Sequence, residues 1–586
     1  RMHFCSKDIE EKENVETDDY KTAPIVFFDI EIFPSWKQAH ENGYEIPDYI
    51  PKDTPALFLV NWKYRGDNQI VHRMINPSPS DVEKLFHFRL IGYNNRKYDN
   101  HMIYARSQGY TSEELYDLSH RMIDMKDKNA MFGPAYNLSY TDILDFAAAG
   151  NKKKLKKWEI ELGIRHLEWD APWYLPVAVK DWPRVAEYCD NDVLSTEAVF
   201  NHLHGDFESR EILAKLSGLT VNDTTNQHTI AILTHGIDDP QKDYIYTDLS
   251  KMTWPDGTLM FPGYEFNPNG FPKEKYIPGS KTINRLSFYR GEDPGEGGHK
   301  VGYPGYYEDV ALLDVSSEHP HSAIRLKVFG EVITKRFENL VEARVSIKHI
   351  KEIGDDAYNN AVKYLNQIKP EAGQIIVEFL NGLSGDDLRA KCSSIATALK
   401  TSINAVYGLT SASFNNKLRD ARNVDNIVAK YGALFMINLK HEIWDRGFKV
   451  VHVSTDSIKI ANATREIIAF AFDYAKKYGY TFEHEASYDK MVMADHVNYI
   501  AHYMSTEKCK DLYDGFIPDD NAKAEKDKNK HLQGWTVTGD MFANPYAFKS
   551  LFTHEEIIFN DKCVTINANK GSLHLIGDEG TDHETD

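Results

Sequence analysis

Residues 24–33 read PIVFFDIEIF, and this stretch decides how the first third of the chain is built. Val26, Phe27, Phe28, Ile30, Ile32 and Phe33 make it an apolar strand, interrupted by Asp29 and Glu31 two positions apart. A strand repeats every two residues, so both carboxylates leave the same face. Paired acids in an apolar strand are unfavourable unless a positive charge lies between them. A divalent cation answers that need, because hard Mg²⁺ (or Mn²⁺) takes carboxylate oxygens.

Strand-like runs follow at 56–62 (ALFLVNW), 69–75 (QIVHRMI) and 88–93 (FRLIGY), and helical patterns dominate from about 111 to 205. Strands first and helices after predict a compact α/β or α+β unit. Asp99, in YNNRKYDN, follows the strand at 88–93. Tyr188 and Asp192, in EYCDNDV, are i and i+4 on a predicted helix and share a face. Four converging carboxylates and a tyrosine make a two-metal nuclease, with the tyrosine hydroxyl orienting the attacking water. DxE and YxxxD are each common alone; their order and context carry the reading.

Residues 264–305 are rich in Gly and Pro and read as turns and connections. After them come the strand VALLDV (310–315), helical patterns at about 339–368 and 386–407, and a hairpin of FKVVHV and SIKIA joined at Ser454–Thr455. Asp314 ends its strand and Asp456 sits just past the hairpin turn. Acids at the tips of neighbouring strands suit two Mg²⁺ ions ~3.5–4 Å apart, the arrangement of in-line phosphoryl transfer.

Between these acids lies DDLRAKCSSIATALKTSINAVYG (386–408). At ~100° per residue Lys400, Asn404 and Tyr407 fall on one helical face, Arg389 joins it three turns earlier, and Lys391 points away. Cations, an amide and a ring on one face suit a nucleoside triphosphate. Arg344 and Lys348, i and i+4 on the earlier helix, are phosphate candidates or a solvated face. The run Lys152–Lys157 (KKKLKK) is a DNA-phosphate candidate or a solvated surface.

The 586 residues predict about three or four domains at ~150 residues each. Hydrophobic residues at 42% argue against wholesale disorder, and no run approaches the ~18 apolar residues of a membrane helix. The net charge of −20 confines nucleic-acid contact to a groove. Five cysteines with no CxxC pair indicate neither zinc nor disulfides and fit a reducing cytoplasm, so metal chemistry falls to carboxylates. The polar start RMHFCSKDIEEKENVETDDY does not read as a secretory signal, and Arg1 points to a processed, tagged or truncated start. The segment from Asp519 to Lys530 reads as a charged surface loop, and the last eleven residues, with five acids, as a fraying end.

DIE, NRKYD and YCDND, in that order, resemble the three exonuclease motifs of proofreading DNA polymerases, built on a ribonuclease-H-like fold. DVSSEHPHS (314–322), KTSINAVYG (400–408) and HVSTDS (452–457) resemble motifs A, B and C of family B DNA polymerases, again in the family's order. The compact length resembles bacteriophage enzymes. The resemblance implies metal ligands at Asp29, Glu31, Asp99 and Asp192, with Tyr188 positioning the nucleophile and Asn95 and Tyr98 touching a single-stranded 3′ end. It further implies metal ligands at Asp314 and Asp456, a triphosphate contact at Lys400 and a nascent-pair pocket at Asn404 and Tyr407, with Ser317 and His319 of motif A facing the nucleotide. YRG (289–291) resembles the YxGG element that partitions primer ends, making Tyr289 a DNA contact, although Glu292 breaks it. Tyr499 in HVNYIA would grip the primer terminus.

Departures from the family pattern are Ile32 for a small-phage Thr, His319 for the motif A Tyr, and Ser454 and His452 for the motif C Asp and Tyr. Val497 stands where the primer-grip element has Lys.

The expectation is a ribonuclease-H-like exonuclease domain followed by a right-hand polymerase. The expected division is a tail (1–24), exonuclease (25–205), connection and first palm part (206–338), fingers (339–408), palm (409–500), and thumb with acidic tail (501–586). The expected function is DNA-templated DNA polymerisation with 3′→5′ proofreading. Its partners would be primer-template DNA, dNTPs and replication proteins such as a helicase and a single-strand binding protein, for a monomer in a bacterial cytoplasm. A rival is a 3′→5′ exonuclease on a degenerate polymerase scaffold; a third reading is a non-catalytic primer-template binder.

Overall fold

A computed structural model describes residues 23–66, 68–272, 275, 285–526 and 534–538, together with strand backbone at 563–567, 572–576 and 582–585. Two compact units divide the chain, residues 1–224 with 545–586, and residues 225–544.

The first unit is built on β1 (Ile25–Phe33), which pairs antiparallel with β2 (Leu57–Tyr64) and parallel with β4 (Arg89–Gly92). With β3 (His72–Ile75) and β5 (Thr141–Asp142) the sheet order is β3-β2-β1-β4-β5. The even-numbered side chains Val26, Phe28 and Ile30 pack with residues of α1 (Asp99–Ser107) and α2 (Ser112–Ile123), among them Met102, Ile103 and Leu115. The opposite face, carrying Phe27, is covered by α4 (Trp182–His202) through Val193, Val199 and Phe200. Helix α3 (Leu155–Glu161) lies between α2 and α4 in the chain. Each fully buried Phe or Ile contributes ~1.5–3 kcal/mol, enough for the apolar positions of β1 to hold its two acids in place.

In the second unit, β6 (Glu265–Phe271) and β7 (Arg285–Phe288) form a two-stranded antiparallel sheet. A seven-stranded sheet contains β8 (Lys300–Gly302), β9 (Gly305–Val315), β10 (Lys449–Ser454), β11 (Ser457–Ala461), β12 (Phe482–Met493), β13 (Tyr499–Tyr503) and β14 (Trp535–Thr538). Its order is β14-β13-β12-β9-β11-β10-β8 with every neighbour antiparallel. The helices are α5 (Glu318–Arg325), α6 (Gly330–Lys348), α7 (Asp356–Ile368), α8 (Ala372–Leu380), α9 (Gly385–Thr410), α10 (Ile427–Asp445) and α11 (Arg465–Tyr478). Helix α10 is buried continuously from Ile427 to Lys440, a mostly apolar stretch that also carries Lys430, Asn438 and Lys440 into the interior.

Several sequence expectations need correction. The Gly/Pro-rich stretch 264–305 contributes β6, β7 and β8, since a two-stranded ribbon and an edge strand tolerate Pro and Gly; residues 273–274 and 276–284 lie outside the described residues. The single helical pattern at 339–368 is two helices, because Gly354 takes φ +91° and Asp355 caps α7 by accepting from the Tyr358 N–H at 2.7 Å. Asp519–Lys526 is a helix, not a loop, and 527–530 lies outside the described residues. The terminal residues do not simply fray: Asp582–Thr585 pairs with Ser572–Ile576, which pairs with Cys563–Asn567. Residues 1–22 of the expected tail, and the expected thumb beyond 538 apart from the three terminal strands, lie outside the described residues. Among the described residues Cys189, Cys392 and Cys509 are free and buried, and no helix is long and apolar enough to cross a membrane.

Candidate active sites

The odd face of β1 presents Asp29 and Glu31 toward α4, whose 3.6-residue repeat brings Tyr188 and Asp192 to the same side. Carboxylate oxygens of Asp29, Glu31 and Asp192 all lie within 4.8 Å of one another. Asp99 opens α1 and is outside that trio, but its charge is felt by both β1 acids. Burial, then repulsion from Asp192 and Asp99, raises Glu31 to about 8 and Asp29 well above the usual range. Burial likewise raises Asp99 to about 7 and Asp192 to about 6, Asp192 being held down by Lys156. An all-oxygen trio whose members repel one another fits a hard divalent cation.

Lys156 is the cation this protein itself supplies. Its ammonium pairs with Asp192 and lies 4.5 Å from the centroid of the Tyr188 ring. Burial opposes its charge, but Asp192 and Glu159 overcome that and raise its pKa. Glu159, fully buried, accepts from Ser195 Oγ at 2.8 Å and Asn191 Nδ2 at 3.1 Å and pairs with His166 at 2.8 Å. The run Lys152–Lys157 is therefore not a plain solvated patch: Lys153 pairs with Glu161, and Lys157 is buried.

Two expected DNA contacts here are engaged internally. Asn95 is buried, packs over Gly92 and donates from Nδ2 to Asn100 Oδ1 at 2.8 Å. Tyr98 keeps a partly exposed ring, with its hydroxyl 2.7 Å from Ser119 Oγ. Ile32 is buried in the sheet core.

In the second unit the ladder of β9 and β11 sets Asp314 opposite Ser457, the neighbour of Asp456. Asp456 lies in the turn itself, exposed, and its carbonyl accepts from the Val315 N–H at 2.7 Å. Burial, then the charge of Asp456, raises Asp314 to about 7. Two carboxylates that repel across a strand pair again fit a hard cation. Residues the sequence reading did not single out surround them. Glu483 faces Asp314 from β12 and accepts from Ser316 Oγ at 2.7 Å, and Glu485 falls at a register shift on the same strand. Lys459, buried on β11, approaches His452 Nδ1 at 3.0 Å; burial lowers it to about 8 against the pull of Glu485, Asp314 and Asp456. Local patterning does not announce such a lysine, since Ile458, Lys459 and Ile460 are all buried along β11.

Helix α9 exposes Lys400 and Asn404, while Lys391 turns away, over the Phe379 ring. Arg389 is exposed but engages Asp386 on its own helix. Tyr407 is half-buried; its hydroxyl accepts from Asn426 Nδ2 at 3.1 Å. The His319 ring meets Tyr407 with centroids 4.0 Å apart, and Ser317, at φ +56°, precedes the helix that carries His319 without a side-chain capping bond to it. Arg344 is partly buried on α6 and Lys348 exposed at its end. Two further residues expected to contact DNA are buried in this structure. Tyr289 is 1% exposed and donates its hydroxyl to Asn438 Oδ1 at 2.7 Å. Tyr499 is buried against His452 and Lys459, while Val497 beside it is exposed.

No protein-family model matches the chain, and no curated protein does. A solved structure similar to it is that of the family B DNA polymerase from the hyperthermophilic archaeon Pyrobaculum calidifontis, with a TM-score of 0.41 and 14% identity. The similarity covers 82% of this chain and 59% of that one, so the chain spans about three-fifths of that structure's length.

Proposed function

We propose that the chain is a DNA-templated DNA polymerase of family B type with 3′→5′ exonuclease proofreading, of the compact form found in bacteriophages. The observation that carries the reading is the juxtaposition of Asp314 with the Asp456 turn, alongside the His319–Tyr407 contact. In this reading residues 25–205 form a ribonuclease-H-like nuclease, 206–338 the connection and first part of the palm, 339–408 the fingers, 409–500 the palm, and 501–586 the thumb and acidic tail. Primer-template DNA and dNTPs are the ligands.

Asp314 and Asp456 would hold two Mg²⁺ or Mn²⁺ ions in one site, and Asp29, Glu31, Asp99 and Asp192 two in the other. When bound, such ions neutralise charge on the phosphoryl group and favour deprotonation of the attacking hydroxyl or water. The exposed Lys400 offers its ammonium to the triphosphate, with Arg344 and Lys348 as further cations for it. Tyr407 and His319 form one wall beside the incoming sugar and base. In the nuclease site the Tyr188 hydroxyl, which interacts with Asp192, orients the water.

The test is a 5′-labelled primer on a template with Mg²⁺, with and without dNTPs. Extension with dNTPs, abolished by Asp456→Ala, and shortening without them, abolished by Asp29→Ala, are expected. Shortening under both conditions would reject polymerisation in favour of a nuclease on a degenerate scaffold.

A further inference from the structure

Glu292 stands where the resembled YxGG element has a glycine, and it is 7% exposed. A tight reversal at Arg290 (φ +51°) and Gly291 (φ +83°), closed by mutual Tyr289–Glu292 backbone bonds of 2.9 Å, drives its side chain against α10. There it pairs with the fully buried Lys440 ammonium, with His441 Nε2 at 2.8 Å, and with His299 Nε2 at 3.3 Å. Removing one partner of such a buried pair leaves an uncompensated charge, so the cluster is a strong geometric constraint.

The segment leaving this cluster runs under the catalytic turn. Lys430, also buried, binds the Gly295 carbonyl and pairs with Glu296 at 3.0 Å. The Glu296 carbonyl accepts from Asn426 Nδ2 at 2.9 Å, the same amide that reaches Tyr407. The His299 carbonyl accepts from the Thr455 N–H at 2.8 Å, and Thr455 holds φ +54° beside Asp456. Gly298 lies so close that a Cβ would sit 2.6 Å from Thr455 Cγ2. Beyond it, β8 pairs with β10 with Lys300 opposite Ser454. His299 thus joins the buried ionic cluster by its ring and the metal-ligand turn by its carbonyl.

We propose that Glu292, with Lys440 and His299, is a positioning device: it clamps the 293–299 strap to α10 and thereby sets the Thr455–Asp456 turn for divalent-cation binding. Glu292 and Lys440 are positioning residues, not catalytic ones. The inference rests on the polymerase reading for its consequence, but its primary readout is metal binding.

The experiment uses the full chain with Asp29→Ala and Glu31→Ala, so that the first unit's trio does not contribute. Mn²⁺ binding is followed by electron paramagnetic resonance in this background and after adding Glu292→Gln or, separately, Gly298→Ala. The glycine variant crowds Thr455 and strains the Gly298 backbone, which holds φ +129°, without touching the charges. Each is expected to weaken Mn²⁺ binding at least fivefold at a temperature where the chain is still folded, with a lowered but still cooperative thermal midpoint, because Glu292→Gln leaves Lys440 unpaired and Gly298→Ala strains a backbone at φ +129°. In the chain with its acids intact, the Mg²⁺ needed for half-maximal primer extension should rise by a similar factor, while excision of single-stranded DNA stays unchanged. Unchanged Mn²⁺ affinity in both variants overturns the inference. So does a collapse of the thermal midpoint in both, or a parallel loss of extension and excision. A parent chain that never extends a primer rejects the polymerase reading instead, and the Mn²⁺ result still decides the positioning role.

Discussion

The imidazole of His319 meets the phenol ring of Tyr407 edge to face, with centroids 4.0 Å apart and planes at 71°. His319 follows β9 and Tyr407 lies near the end of α9, so the contact ties the strand bearing Asp314 to the helix bearing Lys400. Edge-to-face pairs contribute ~0.5–1.5 kcal/mol and fix ring orientation. In the proposed polymerase reading, a smaller ring at this position would leave more room beside the incoming sugar than a tyrosine does. His319→Tyr is expected to increase discrimination against ribonucleotides by about tenfold, in the range that pocket shape alone supplies. Equal ribonucleotide incorporation by the two proteins, measured in single-nucleotide extensions, would refute this.

Lys156 neutralises Asp192 and lies against the Tyr188 ring. Lys156→Met keeps the stem but removes the charge, leaving Asp192 to burial and Glu159, both of which raise its pKa. Excision of a labelled single strand is expected to fall by roughly one to two orders of magnitude at neutral pH, as for loss of a group acting on the catalytic charges. Extension should be unaffected. Wild-type excision rates in the variant would remove Lys156 from the site.

Gly432 on α10 has no room for a side chain: an added Cβ would lie 1.5 Å from Glu318 Oε1. Glu318 is 2% exposed and its ionisation is disfavoured by burial. Gly432→Ala is expected to cost ~3 kcal/mol or more in urea unfolding, at or above the upper end for overpacking. Glu318→Ala in the same chain should restore most of it, since it removes the obstructing carboxyl. Additive losses in the double variant would show that the clash lies elsewhere.

His484 is buried, 2.8 Å from Ser487 Oγ, with its ring against Tyr513 and Phe516. Burial lowers its pKa to about 4. The unfolded chain, titrating near 6.5, binds the proton first, so stability present above pH 6.5 is lost as pH falls toward 4. The contribution is on the order of 3 kcal/mol across that window. His484→Gln is expected to flatten the acid side of the stability profile by up to one proton; an unchanged slope in urea titrations at pH 4.5–6.5 would count against it.

Much of the scaffold is legible locally. The β1 run, the helix carrying Tyr188 and Asp192, and the hairpin around Asp456 follow from period-two and 3.6-residue patterning. The break at Gly354 was missed because the apolar repeat continues across it, and only the capping bond of Asp355 shows that the helix restarts. The composition of the Gly/Pro-rich segment reads as turns, yet β6 and β7 pair with each other and β8 pairs with the distant β10, and backbone pairing of that kind leaves no compositional mark.

What the sequence by itself determined is which side chains share a face: Asp29 with Glu31, Tyr188 with Asp192, and Lys400 with Asn404. These relations follow from the geometry of a single strand or helix. Tertiary structure alone decided what each face meets. It turned Asn95, Tyr289 and Tyr499 inward, brought Lys156 to Asp192, and set Glu292 against Lys440 and His299. Charges that attract across tens of residues, as Lys156 with Asp192, or across more than a hundred, as Glu292 with Lys440, leave no periodic trace in the chain. Their pairing depends on the packing of the elements that carry them, because a buried charge is stable only where folding delivers its partner.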